Sequence, residues 1–311
     1  MKLITITLLS VFLTAQTYAA EAKKSVADYL QDVSVTIVSE SSFSRGEGSG
    51  IIFSRKDKDG NTVNFIWTAA HVIDNLRTER KVIVNGASKT LVEFKDAKIV
   101  KVIRQKGRSV GQLELDAEVV KYSDAEDGHD LALLKVRKLN FVDSTVNFYL
   151  DKEIPKLGTD LWHVGSLLGQ MGSNSMTDGI YSQTGRVLKS LNKHVFDQTT
   201  VAAFPGSSGG GVFLKSDNRY IGMLVRGAGE TFNLIVPVRR MQEWATKNNI
   251  MWALDTSVKL PSNEELAKIP VEDVGADFSE ESEQRKSRKR KETQKNFPFL
   301  LRVKDNLITK E

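Results

Sequence analysis

The chain has 311 residues, 40% of them hydrophobic and 27% charged, with a formal net charge of +5. That balance belongs to a globular protein large enough to bury one or two cores, and the charge is too small to argue for nucleic acid as a partner. Cysteine is absent, which excludes disulfides, thiol catalysis and cysteine-ligated metal.

Met1-Lys2 leads into an apolar run from Leu3 to Leu13, and Thr17-Tyr-Ala-Ala20 supplies a small-residue exit. These are the parts of a secretory signal, with residues 1–19 expected to be removed after Ala19. The run is shorter than the roughly 20 apolar residues a membrane span needs. An exported protein without disulfides fits a bacterial periplasmic or secreted location.

Ser25 to Gln31 reads as a short helix, and Val33, Val35 and Ile37 alternate with polar residues as in a strand. Gly46–Phe53 and Val63–Trp67 flank an Asp59-Gly60 hairpin signal. Further strands are expected over 81–84, 97–103, 113–120, 131–136, 161–164 and 220–225. Short strands with frequent turns argue for an all-β barrel or sandwich architecture. Val238 to Leu254 has helical spacing at Met241, Trp244 and Ala245, which predicts a closing helix. Beyond it the chain is charge-rich. Acidic residues lie between Ser279 and Glu283, six of the seven residues from Arg285 to Lys291 are basic, and Phe297–Val303 forms an apolar island. The basic run reads as a solvated face rather than a nucleic-acid site.

Three separated segments carry chemistry. Trp67-Thr-Ala-Ala-His71 ends a β-type run on a histidine. Gly128-His-Asp130-Leu-Ala-Leu-Leu places an aspartate at the mouth of an apolar strand. Phe204-Pro-Gly-Ser-Ser208-Gly-Gly-Gly sets a serine in a glycine-dense turn. A serine hydroxyl becomes a useful nucleophile only when an adjacent imidazole takes its proton. The imidazole needs a buried carboxylate to fix its tautomer, and the developing oxyanion needs converging backbone N–H donors. The candidates are Ser208 as nucleophile, His71 as base, Asp130 as its orienting carboxylate, and the N–H groups of Gly206 and Ser208 as the oxyanion hole. Because the base must be neutral to act, hydrolysis is expected to rise across about pH 6 to 7.5. His129 is expected to face away from its neighbour Asp130, His163 to pack in a core, and His194 to sit in a polar loop. No histidine pair has metal-ligand spacing and no glycine motif cradles phosphate, so no metal or cofactor is expected.

Trp67-Thr-Ala-Ala-His71 and Gly206-Ser-Ser208-Gly-Gly resemble the histidine and nucleophile signatures of chymotrypsin/trypsin-like serine proteases. The wider texture from about Gly46 to Val238, including Asp130-Leu-Ala-Leu-Leu-Lys-Val and Thr184-Gly-Arg-Val-Leu, resembles the bacterial HtrA/Deg branch. The resemblance implies two six-stranded β-barrels of the chymotrypsin type meeting near residues 140–155, within a protease domain over 20–254. A C-terminal helix would close that domain, and a charged extension would occupy 255–311. That extension is too short and too charged for the PDZ domain usual in the branch.

Ser207 stands where zymogens of the wider family carry an aspartate, so no activation by a newly cut N-terminus is expected. Val225 stands where many relatives have serine or threonine near the carboxylate, leaving support for Asp130 either weaker or supplied elsewhere. Ala202 is expected at the base of the primary pocket, with Val225, Gly227 and Asn233 beside it and no acid to select Arg or Lys. Arg226 is expected either to favour acidic residues of a substrate or to be a solvated arginine. Protein or peptide substrates follow from the resemblance. The rival expectation is an idle protease-fold scaffold that works through the cleft or the charged tail.

Overall fold

Ser25 opens α1 (Val26–Asp32) by accepting the Asp28 N–H on its side chain, and Leu30 is the residue α1 buries. The computed structural model describes residues 24–42, 44–84, 86–105, 107–187, 194–227, 231–273 and 301–303. The N-terminal apolar run and the basic run at 285–291 lie outside the described residues.

The first barrel is built from β1 (Ser34–Glu40), β2 (Arg45–Lys56) and β3 (Thr62–Thr68), followed by α2 (Ala70–Ile73). β4 (Arg77–Val84) and β5 (Ala87–Phe94) make a separate hairpin. β6 (Ala97–Gln105), β7 (Arg108–Ser123) and β8 (Leu131–Val136) complete the sheet, in the order β1-β6-β7-β8-β3-β2. A further pairing of β1 with β2, from Ser34–Ile51 to Glu40–Arg45, closes that order into a ring. The alternation predicted a half-buried first strand, yet all of β1 except Glu40 is buried. Its outer face is covered by α1 and by the second barrel.

The second barrel is closed in the order β10-β11-β14-β13-β12-β9. Its strands are β9 (Asp160–Gly165), β10 (Ser175–Val187), β11 (Val195–Thr199), β12 (Gly211–Leu214), β13 (Tyr220–Gly227) and β14 (Asn233–Pro237). Its interior holds Leu161, Tyr181, Val201, Val212, Leu224 and Ile235. A larger core runs from the first barrel through the interface and includes Val164, Met223, Val225 and Leu234 of the second. The fold is therefore all-β with two barrels, as the resemblance implies.

The closing helix is shorter than its periodicity predicts. α3 (Val238–Lys247) ends where Asn249 adopts φ 56°, and a single 3-10 turn over Met251–Ala253 follows. Asparagine tolerates that left-handed conformation and so terminates the helix cleanly. Trp244 of α3 packs edge-on against Trp67 of β3, with ring centroids 5.8 Å apart.

The chain then continues along the first barrel. Arg55 donates to the carbonyls of Trp252 and Val258, and α4 (Asn263–Leu266) starts with a Ser262–Glu265 capping box. Residues 271–273 are strapped down: Tyr122 N donates to Val271 O, and Lys121 Nζ to the carbonyls of Pro270 and Glu272. Ser123 and Trp244 both donate to the Asp273 carboxylate. β15 (Leu301–Val303), within the apolar island, pairs antiparallel with Arg45–Glu47 of β2. No helix among the described residues is long and apolar enough to cross a membrane.

Candidate active site

Asp130 is presented by the turn joining β7 to β8. Asp124 organises that turn, its carboxylate accepting the N–H groups of Glu126 and Asp127 and its carbonyl those of Gly128 and Asp130. The turn ends with Asp130 at φ 55°, a conformation uncommon outside glycine. Surrounding structure has to hold such a residue in place. The apolar Leu131-Ala-Leu-Leu run then enters the core as β8, leaving the Asp130 carboxylate buried at the interface.

His71 comes from α2, the single helical turn that follows β3. Its backbone N–H donates to Asp130 Oδ1 at 3.1 Å, and its Nδ1 lies 2.9 Å from Oδ1 and 3.0 Å from Oδ2. A carboxylate only accepts, so Nδ1 carries the proton and Nε2 is the basic nitrogen. Burial pushes the Asp130 carboxyl up, but the facing His71 and Arg226 overcome it and hold its pKa below the ordinary carboxylate value.

Ser208 sits in a turn that only glycine can make. Gly206 has φ 94°, and a Cβ there would lie 2.3 Å from Ser166 O; Gly209 has φ 87°, and its Cβ would lie 2.0 Å from Ser49 O. The N–H groups of Ser207, Gly209 and Gly210 bond to Phe204 O, Leu224 O and Ser207 O. Those of Gly206 and Ser208 make no hydrogen bond among the described residues, and neither does Ser208 Oγ. Two unbonded N–H groups in the same turn as the hydroxyl are donors of the kind an oxyanion requires. Ser207 is buried and its Oγ accepts the Phe204 N–H, so the hydroxyl is satisfied within the turn.

Sequence reasoning missed Ser49. Its N–H donates to Ser208 O at 2.7 Å and its hydroxyl to Gly206 O at 2.8 Å, while the same oxygen accepts the Ser166 N–H. Ser49 thereby ties the serine turn of one barrel to β2 of the other. A Cβ on neighbouring Gly48 would meet both the Val72 side chain and Ser208 O, which places the segment after His71 beside the serine turn. The signal was present in the small-residue run Gly46-Glu-Gly-Ser-Gly50, but its partners lie more than 100 residues away.

Arg226 is turned inward, where substrate contact or solvation was expected. The ladder passes from Leu224–Ile235 to Arg226–Leu234, so Val225 is a bulge. Leu224 and Ile235 fill the second barrel, whereas Val225 and Leu234 face the inter-barrel core. The extra residue re-aims Arg226 to that second side. Its guanidinium lies 3.6 Å from Asp130 Oδ2 and donates to Ala125 O at 3.2 Å. Arg240 of α3 is also buried nearby. It donates to the carbonyls of His129 and Val195, and burial lowers its pKa to about 10 against the pull of Asp130.

The remaining expected pocket residues are more enclosed than a cleft wall. Asn233 and Val225 are fully buried, and the Asn233 amide donates to Val201 O at 2.6 Å. Ala202 and Gly227 are partly buried, and Ala202 O accepts the Thr177 hydroxyl. His129 packs against His194 with ring centroids 4.5 Å apart, and His163 is buried beneath the serine turn with Nδ1 3.0 Å from Gly211 O.

A sequence profile described as a trypsin-like peptidase domain matches residues 48–223, more than half of the chain. A probable periplasmic serine endoprotease, DegP-like, from Halomonas elongata is 33% identical over 179 residues, covering 58% of this chain and 29% of that protein. The chain thus spans under a third of that relative's length. Among solved structures, the HtrA-type protease AlgW with tripeptide superposes with a TM-score of 0.51 at 19% identity, over 74% of this chain and 64% of that one. A serine endoprotease from Yersinia pestis gives 0.50 at 21% identity, over 74% and 68% of the two chains. Deg5 gives 0.50 at 20%, over 73% and 93%. These likenesses show the fold, and they lie in the HtrA/Deg branch.

Proposed function

The chain belongs to the trypsin-like peptidase family, and from that footing we propose that it is a serine endopeptidase acting through Ser208, His71 and Asp130. The observation that carries the reading is the buried His71–Asp130 pair, with both carboxylate oxygens within 3.0 Å of Nδ1. Ser208 Oγ attacks the scissile carbonyl carbon and its proton passes to His71 Nε2. The oxyanion is met by the N–H groups of Gly206 and Ser208. Collapse breaks the C–N bond, the amine leaves with the proton from His71, and an ester remains on Ser208. Water, deprotonated by the same imidazole, then releases the acid and restores the serine. Asp130 stays ionised throughout. In an uncomplexed site the serine–imidazole hydrogen bond is often loose and tightens with substrate, which fits an unbonded Ser208 Oγ.

The primary pocket is proposed around Ala202 and Gly227, with Val225 and Asn233 behind them. With no acid there, it favours a small or medium apolar side chain of a flexible protein substrate. Residues 1–19 are proposed as an export signal and 20–254 as the protease domain, with the rest as an extension, in a periplasmic or secreted bacterial protein.

The test is casein hydrolysis at about pH 7.5 by the protein and by its Ser208→Ala variant. Loss of a triad member typically removes about six powers of ten in turnover. Cleavage by the wild type alone supports the reading, and equal cleavage by both refutes it.

A further inference from the structure

Asp130 needs more than His71 to hold it. It sits in a left-handed conformation at the end of a loop, and the three hydrogen bonds it accepts at the site all come from one residue. Val225, at the position where the resemblance would put a hydroxyl, is apolar and fully buried. The guanidinium of Arg226 occupies this region. It is anchored by its bond to Ala125 O, within the same turn that presents Asp130, and it reaches the carboxylate from the opposite barrel.

We propose that Arg226 is a positioning residue for the His71–Asp130 pair, carried to Asp130 Oδ2 by the bulge at Val225. The inference rests on the catalytic reading above. Arg226 acts in two ways. Its planar fork, fixed at one end to Ala125 O, limits rotation of the carboxylate away from Nδ1. Its positive charge also favours the ionised form of the carboxylate that holds the Nδ1 proton.

The charges around the pair are few. His71 from α2, Arg226 from β13 and Arg240 from α3 face Asp130, and Glu126 from the β7–β8 turn faces Arg226. His129 and His194 are held below the ordinary histidine value by burial first; at His129 the next causes are His194 and Arg240, and at His194 the next is Arg240. Arg226 is the cation with a nitrogen 3.6 Å from the carboxylate, so its removal has the largest expected effect on how that carboxylate is held.

The experiment compares the full-length protein with Arg226→Lys, Arg226→Gln and Arg226→Met. Casein hydrolysis gives kcat and KM, and NMR follows the proton on His71 Nδ1. Removing the charge is expected to lower kcat about ten-fold or more with KM little changed. It should also broaden or abolish the Nδ1 proton signal, because the carboxylate is free to turn away from the ring. Arg226→Lys keeps the charge without the fork. It should lose part of kcat and weaken the Nδ1 proton signal less than the other two.

Wild-type kcat and an unchanged Nδ1 proton signal in the folded Gln and Met variants would overturn the proposal. If these two fail to fold, Arg226→Lys still decides it, because full kcat there excludes the positioning role. If the wild type itself hydrolyses nothing, the endopeptidase reading fails. The Nδ1 proton signal still reports on Arg226 in that case.

Discussion

His163 is wedged beneath the serine turn, its ring 2.7 Å from where a side chain on Gly210 would begin. Only Nδ1 is bonded among the described residues, and burial lowers the pKa to about 4 despite the opposing bond to Gly211 O. The folded protein therefore keeps this imidazole neutral where the unfolded chain, titrating near the ordinary value of about 6.5, already binds a proton. Its contribution to stability is complete above about pH 6.5 and is lost as the pH falls toward 4. At about 1.4 kcal/mol per pH unit the loss approaches 3 kcal/mol. Denaturant unfolding at pH 7 and pH 4 should show a decline smaller by roughly that amount in His163→Leu than in the wild type. An identical decline would mean that this histidine does not report on acid stability. At the same scale, His71, Asp130 and Ser208 were legible because each lies in a short contiguous motif. Ser49 was not, because its role is defined by bonds to Ser208, Gly206 and Ser166, far along the chain.

At the scale of elements, strands alternating with turn signals identified most of the first barrel. They did not reveal where alternation breaks. Strict two-residue periodicity would set Arg226 on the same side as Leu224, and the bulge at Val225 reverses that aim. Charge density likewise hides the strap over residues 255–273, since Glu264, Glu265, Glu272 and Asp273 read only as part of a charged extension. In the fold, Glu272 pairs with Arg77, and Asp273 accepts from Ser123 and Trp244. The ammonium of Lys121, itself almost fully buried, depends on carbonyls of this strap. A chain ending after Asp273 is expected to melt within about 2 °C of the full-length protein. One ending after Thr256 exposes the barrel and strands Lys121, which should lower Tm by more than about 5 °C. Equal melting temperatures for the two truncations would show that the strap contributes nothing to stability.

For the molecule as a whole, the two barrels contribute different parts of the proposed site. The first supplies His71, Asp130 and the anchoring Ser49, and the second supplies the serine turn and Arg226. The larger core crosses the interface, so the relative placement of the two halves is set by packing as well as by these bonds. Two barrels could be expected from the resemblance, but composition and strand spacing alone left barrel and sandwich open. Both depend on which strands pair, and pairing across 30 or more residues leaves little trace in local pattern. The central claim is that this arrangement makes Ser208 nucleophilic through His71. The most direct measurement is covalent labelling by a fluorophosphonate, with the modified residue located by mass spectrometry, in the wild type and in His71→Ala. Labelling at Ser208 that falls by several powers of ten in rate in the variant is the predicted result. Labelling at another residue, or an equal rate in the two proteins, would contradict it.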